Sequence, residues 1–110
     1  MLFRSFETGE SVLLDTTHSN LVEVVELLQS EPEKKIRIEG HTDSVGSAEA
    51  NLELSQRRAD AVMEALVELG LNQERVISVG LGEDFPISTN EDEAGRSLNR
   101  RVDVILLDDP

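Results

Sequence analysis

Three polar side chains line one face of a long helical segment in the middle of the sequence. Asn51, Ser55 and Arg58 stand at positions i, i+4 and i+7, which an α-helix brings onto a single face. A polar turn that contains Asp43 leads directly into this segment. We therefore expect the Asp43 carboxylate to stand near the Arg58 guanidinium, with opposite charges facing each other across a small pocket.

Such a pair of opposite charges could bind a zwitterion. A carboxylate accepts hydrogen bonds from an ammonium group, and a guanidinium binds a carboxylate through two charge-assisted hydrogen bonds. Two structural roles compete with this interpretation. Asp43 and Arg58 could form a salt bridge with each other, or Asp43 could cap the helix or the preceding turn. The spacing alone favours these structural roles.

The charge of the sequence restricts its partners. The chain carries a net charge of −13, and so acidic a surface repels phosphate backbones and anionic lipid headgroups. We therefore expect no nucleic acid partner. Half of the ten basic residues nevertheless fall in two short segments: Arg57, Arg58, Arg96, Arg100 and Arg101. This concentration suggests an anion site, with ordinary salt bridges as the alternative.

Some polar residues are expected to have only structural roles. We expect Arg96 and Arg101 to pair with nearby carboxylates, which include Glu91, Asp92 and Glu93. His41 is expected to make a structural hydrogen bond, because His18 is distant in the sequence and cysteine is absent. The sequence therefore predicts neither a metal site nor a cofactor.

The pattern of apolar residues predicts one domain over residues 1–110, in which helices alternate with strands. The predicted elements are a strand and a turn within 2–14, a helix over 17–30, a strand over 35–39, a helix over 48–69 that ends at Gly70, and strands over 76–79 and 101–107. This order indicates an α/β (α+β) sandwich. No apolar run approaches the roughly 20 residues of a membrane-spanning helix, so no membrane insertion by this segment is expected.

Four sequence motifs occur in the order typical of one protein family. They are G-H-T-D at residues 40–43, N-x-x-L-S-x-x-R-A at 51–59, G-x-G-E at 80–83 followed by Pro86, and G-R-x-x-N-R-R-V at 95–102. Over residues 38–107 the chain therefore resembles the OmpA-like C-terminal domain family. That family occurs in outer-membrane porin-like proteins, Pal-type lipoproteins and MotB-type flagellar stator subunits.

The resemblance implies a non-catalytic domain that binds peptidoglycan through the diaminopimelate residue of the stem peptide. Position by position, it assigns Asp43 to the ammonium group of the ligand and Arg58 to its carboxylate. The further positions that it places in the site are Asn51 as a hydrogen-bonding partner, Arg100 as a contact at the pocket mouth and, more weakly, Thr42 and Leu54.

The resemblance also implies a fold and a location. The family fold is a β-α-β-α-β-type sandwich with a mixed sheet, which agrees with the predicted elements. The expected location is the periplasm. The parent protein is expected to be tethered to the outer membrane, or to the inner membrane if it is of the stator type. A homodimer is compatible with the sequence. Two alternatives remain: a protein-interaction domain with an acidic docking surface, and a wall hydrolase that uses Asp43 with His41 or Glu39. The hydrolase is disfavoured because the sequence shows no metal triad and no Ser or Cys nucleophile with a partnered histidine.

Overall fold

A computed structural model describes residues 2–3 and 18–107 of the chain. The elements in chain order are β1 (Leu2–Phe3), α1 (His18–Ser30), β2 (Lys35–Gly40), α2 (Ala48–Glu68), β3 (Val76–Gly80), α3 (Glu93–Asn99) and β4 (Val102–Leu107), with a short 3-10 helix at Gln73–Arg75 before β3.

The strands form one mixed sheet in the order β1-β4-β2-β3. β2 is parallel to β3 and antiparallel to β4, and β1 adds an antiparallel edge to β4. Alternate residues of the central strands, such as Ile36, Ile38, Val102 and Val104, are buried against the helices. Since side chains alternate between the two faces of a strand, the residues between them lie on the opposite face of the sheet.

The ends of α2 follow from local sequence. Ser47 caps the N-terminus, where its side-chain oxygen accepts a hydrogen bond of 3.1 Å from the N–H of Ala50. At the other end Gly70 adopts φ +107°, a left-handed conformation that glycine tolerates without a steric penalty. The N–H of Leu71 then bonds to the carbonyl of Leu66, and the Leu71 side chain enters the core. The predicted stop at Gly70 is confirmed.

Two glycines let the backbone of α2 lie directly on the sheet. Gly40 and Gly80 are register partners at the ends of the parallel strands β2 and β3. A Cβ atom built on Gly40 would lie 1.9 Å from the carbonyl oxygen of Ser55, and one on Gly80 would lie 2.5 Å from the backbone nitrogen of Gln56. Any larger residue at either position would therefore push the helix away from the strand ends.

The predicted helices and strands agree with the structure to within about a residue over the described part of the chain. The predicted turn at residues 8–10 lies outside the described residues. The 3-10 helix and α3 were not predicted, because both are too short to show a periodic apolar stripe. A weak signal for α3 is Asp92, which caps this helix by accepting a 2.7 Å hydrogen bond from the N–H of Gly95.

Within the described residues, no helix combines the length and the apolar character that crossing a membrane requires.

We expect Gly40→Ala to lower the free energy of unfolding by about 3 kcal/mol or more, since the added methyl overlaps backbone atoms that cannot rotate away. Gly46→Ala is the matched control, because Gly46 has φ +92° but no atom within 4 Å of an added Cβ. Its cost is the conformational penalty alone, about 1–2 kcal/mol. Denaturant unfolding followed by far-UV circular dichroism suits a chain without Trp or Tyr. Equal losses in the two variants would contradict the close approach of α2.

Candidate functional site

The loop after β2 is tied to the end of the sheet by its backbone. The N–H of His41 donates to the carbonyl of Arg101 at 2.9 Å, and the N–H of Thr42 donates to the carbonyl of Gly82 at 3.0 Å. The Thr42 hydroxyl donates to the carbonyl of Asp43 at 2.8 Å. These bonds hold the start of the loop in a buried position, and Asp43 as a whole is only 3% exposed.

Asp43 uses its two carboxylate oxygens differently. Oδ1 accepts a 3.1 Å hydrogen bond from the N–H of Val45, which closes a turn of the Asx type. Oδ2 accepts a 3.1 Å hydrogen bond from Nη1 of Arg100. Asp43 therefore combines a structural role in the turn, one of the alternatives from the sequence, with a buried ion pair to Arg100.

Arg58 reaches the same site from the third turn of α2. Its side chain is fully buried, and Nη1 donates a 3.0 Å hydrogen bond to the carbonyl of His41. Burial lowers the pKa of Arg58 to about 10, against the opposing effect of the Asp43 charge; the positive charges of Arg100 and Arg57 lower it further. At neutral pH this pKa leaves Arg58 protonated. The structure thus brings together the carboxylate of Asp43 and the cation of Arg58.

Arg100 is more central than the sequence indicated. The residue is 4% exposed, and besides Asp43 it binds both oxygens of Glu93, at 3.1 Å from Nη1 and 2.8 Å from Nη2. The hydrogen bond to Glu93 is the main reason why the pKa of Arg100 is raised, with burial opposing and Asp43 contributing. The same bond lowers the pKa of Glu93. Arg100 is therefore a buried bridge between two carboxylates.

Asn51 organises the loop around Asp43. Its side-chain nitrogen donates to the carbonyls of Asp43 and Val45, at 3.2 and 3.1 Å, and to Oε1 of Glu83 at 3.0 Å. An amide has only two N–H groups, so one of them is shared between two acceptors. Glu83 belongs to the G-x-G-E motif and was not singled out in the sequence. Asn51 therefore connects the loop to the turn after β3.

The remaining polar residue of the helical stripe, Ser55, holds the same turn. Its hydroxyl donates to the carbonyl of Leu52 at 2.7 Å and accepts from the N–H of Gly82 at 2.9 Å. The predicted common face of Asn51, Ser55 and Arg58 is observed, since all three side chains are buried. Leu54 is also buried but does not join the main apolar core.

Asn99 is a positioning residue that sequence reasoning missed. Its Oδ1 accepts from the N–H groups of Ile87 and Ser88, at 2.8 and 3.1 Å. Its Nδ2 donates to the carbonyl of Ser88 at 3.0 Å and to Oδ1 of Asn90 at 2.8 Å. These four bonds anchor the loop before α3 and so direct the next residue, Arg100, towards Asp43. The available signal was its place in the closing N-R-R motif.

The expectations for the structural residues are met only in part. Arg96 lies 3.6 Å from Glu93, as expected. Arg101 also pairs with a nearby carboxylate, because its Nε donates to Oδ1 of Asp103 at 3.0 Å. His41 is buried with Nε2 3.2 Å from Oδ2 of Asp103, but neither ring nitrogen makes a hydrogen bond of acceptable geometry. Burial raises the pKa of Asp103, but the contacts with His41 and Arg101 outweigh burial and lower it.

Residues 5–100 of the chain match the OmpA family. The crystal structure of the peptidoglycan-associated lipoprotein from Burkholderia pseudomallei superposes with a TM-score of 0.90 and 35% identity, covering 94% of this chain and 87% of that one. This similarity confirms the α+β fold class.

Two similar curated proteins are considerably longer than this chain. Outer membrane porin F of Pseudomonas fluorescens is 38% identical over 99 residues, which are 90% of this chain and 30% of porin F. Peptidoglycan-binding protein ArfA of Mycobacterium tuberculosis is 33% identical over 102 residues, which are 93% of this chain and 31% of ArfA. The chain thus spans about a third of these relatives. The family match and the superposition both confirm the resemblance inferred from the four motifs: the chain belongs to the OmpA family.

Proposed function

We propose that this chain binds peptidoglycan without cleaving it, by recognising the diaminopimelate residue of the stem peptide. Similarity to the peptidoglycan-binding protein ArfA and to the peptidoglycan-associated lipoprotein supports the cell wall as the ligand. The observation that carries the proposal is the buried carboxylate of Asp43, which is ion-paired with Arg100 and interacts electrostatically with the buried guanidinium of Arg58.

The charges of this site suit a zwitterionic ligand. Arg58 and Arg100 contribute two positive charges, and Asp43 and Glu93 contribute two negative ones. A free amino acid centre, such as the end of the diaminopimelate side chain, adds an ammonium and a carboxylate and leaves this balance unchanged. A simple anion or cation would leave a buried excess charge, which is costly in a medium of low dielectric constant. The arrangement therefore favours a ligand that carries both charges.

We propose that binding exchanges partners at Asp43. Oδ2 of Asp43 accepts from Arg100 in this structure, and the ligand ammonium would displace that guanidinium. Glu93 can retain Arg100 during the exchange, since it binds both terminal nitrogens and is itself 64% exposed as a side chain. The freed guanidinium and Arg58 can then both face the ligand carboxylate. We propose two weaker ligand contacts: Thr42, which precedes Asp43, and Leu54, which lies about one turn before Arg58 on α2.

The biological role that follows is anchoring. A few charged hydrogen bonds contribute only a few kcal/mol per site, so the affinity of one domain is modest. Many copies on a polymeric wall would supply retention through avidity. We place the chain in the periplasm, as part of a longer parent protein that is tethered to the outer membrane or to the inner membrane.

For the ligand itself, we expect saturable binding of a synthetic stem peptide that ends in meso-diaminopimelate, measured by NMR titration or calorimetry. Asp43→Asn and Arg58→Lys should each weaken binding roughly 10-fold or more, because each removes a charge-assisted or bidentate interaction worth about 1.5–3 kcal/mol. Arg58→Lys keeps a buried positive charge and a long side chain, and therefore disturbs the fold less than truncation to alanine would.

Arg57→Ala is the matched control, since Arg57 is the exposed neighbour of Arg58, and its affinity should stay within about twofold of the unmodified chain. A peptide with lysine in place of diaminopimelate should bind more weakly, because it lacks the second carboxylate. If no saturable shift is seen at millimolar peptide, the diaminopimelate proposal is wrong and the protein-interaction alternative gains support.

For the loop, we expect Asn51→Asp to be more destabilising than Asn51→Ala, although aspartate is the closer match in shape. A carboxylate at this position would face two carbonyl oxygens and the Glu83 carboxylate, which all require donors. We expect Asn51→Ala to cost about 1–3 kcal/mol of stability and Asn51→Asp to cost more. Denaturant unfolding at neutral pH measures both, and an Asp variant as stable as the unmodified chain would refute the assigned role of Asn51.

For the absence of catalysis, we expect purified sacculi incubated with the chain to release no soluble muropeptides, as measured by chromatography of the supernatant. The chain should instead sediment with the sacculi. Release of fragments that is lost in Asp43→Asn would establish the hydrolase alternative.

A further inference from the structure

A second cluster of polar side chains lies at the same end of the sheet but on the face turned away from α1 and α2. Glu39 of β2 and Asp103 of β4 are cross-strand partners, so their side chains are neighbours on one face. His41 follows Glu39 by two residues and therefore projects to the same side. One potential ligand atom from each of the three residues lies within 4.8 Å of the other two.

The imidazole of His41 is the unusual member of this cluster. Its side chain is 3% exposed, and Nε2 points at the cluster, 3.2 Å from Oδ2 of Asp103. Neither ring nitrogen makes a hydrogen bond of acceptable geometry. A buried imidazole without a hydrogen bond of acceptable geometry is costly, and so is the repulsion between two carboxylates on cross-strand partners, Glu39 and Asp103. A cation placed between them would remove both penalties.

Each carboxylate of the cluster pairs with an arginine through one of its oxygens. Nε of Arg101 donates to Oδ1 of Asp103, and Oδ2 of the same carboxylate faces His41. Nε of Arg37 lies 3.0 Å from Oε2 of Glu39. Groups that hold a carboxylate by its second oxygen are a common feature around protein metal sites, where they fix the orientation of the ligand.

We propose that Glu39, His41 and Asp103 form a binding site for a divalent transition-metal ion such as zinc. One imidazole nitrogen and two carboxylate oxygens are a ligand set that zinc accepts, with water in the remaining position. Mg²⁺ is disfavoured, because it prefers an all-oxygen environment and retains its waters. The arginines Arg37 and Arg101 compete with the ion for the carboxylates, so the affinity is lower than that of a site without them.

The test is calorimetric titration of the chain with zinc chloride at neutral pH in a buffer that does not chelate zinc. We expect one equivalent to bind saturably, and His41→Gln and Asp103→Asn to weaken binding at least about 10-fold. His18→Gln, which removes the other histidine of the sequence, should leave binding unchanged. No saturable binding at millimolar zinc, or equal binding by the His41→Gln and Asp103→Asn variants, would overturn the proposal.

Two further measurements separate a built site from general attraction to an acidic chain. Magnesium chloride should give no comparable binding, whereas equal binding of the two ions would show diffuse attraction to the net charge of −13 and overturn the proposal. Arg37→Ala should tighten zinc binding several-fold, because it removes a competing cation whose side chain is 42% exposed. A purely structural role of the Arg37–Glu39 pair predicts no such gain, and an Arg37→Ala variant that binds zinc no more tightly would count against Glu39 as a ligand.

Discussion

The close approach of α2 to the ends of β2 and β3 is the constraint on which the rest of the structure depends. Gly40 and Gly80 have no side chain, so the helix backbone at Ser55 and Gln56 can lie directly on the strand ends. Ser55 then receives the N–H of Gly82, and Gln56 accepts from the N–H of Gly80 at 2.8 Å. These contacts set the height of the helix above the sheet. They thereby place Arg58, one turn further along α2, beside the loop that follows β2.

That position creates an electrostatic requirement. Arg58 is fully buried, and a buried guanidinium is stable only where other groups compensate its charge and satisfy its hydrogens. The carbonyl of His41 and the carboxylate of Asp43 supply part of this compensation. A second guanidinium, that of Arg100, then requires Glu93 as a further partner. The site is thus a chain of alternating charges, in which displacing one cation from Asp43 with another preserves the balance.

The same strand ends serve two faces of the sheet because side chains alternate along a strand. Gly40 faces α2 and admits the helix, whereas Glu39 and His41 face the other way towards Asp103. His41 connects the two faces of the sheet. Its carbonyl accepts a hydrogen bond from Arg58, while its imidazole ring lies beside the carboxylates of Glu39 and Asp103. The hydrogen bonds of one residue therefore affect both the ion pairs around Asp43 and the cluster on the opposite face.

The sequence by itself determined the main helices and strands, the stop of α2 at Gly70, and the common face of Asn51, Ser55 and Arg58. Each of these depends on the spacing of residues along one helix, one strand or one turn, and such spacing can be read directly from the chain. Only the tertiary structure decided three further features. These are the short helix α3, the contact of Arg100 with Asp43, and the cluster of Glu39, His41 and Asp103. Arg100 lies 57 residues from Asp43, and Glu39 meets Asp103 through the register of β2 with β4. Contacts of this kind depend on how the elements pack against each other, and no local pattern encodes that packing.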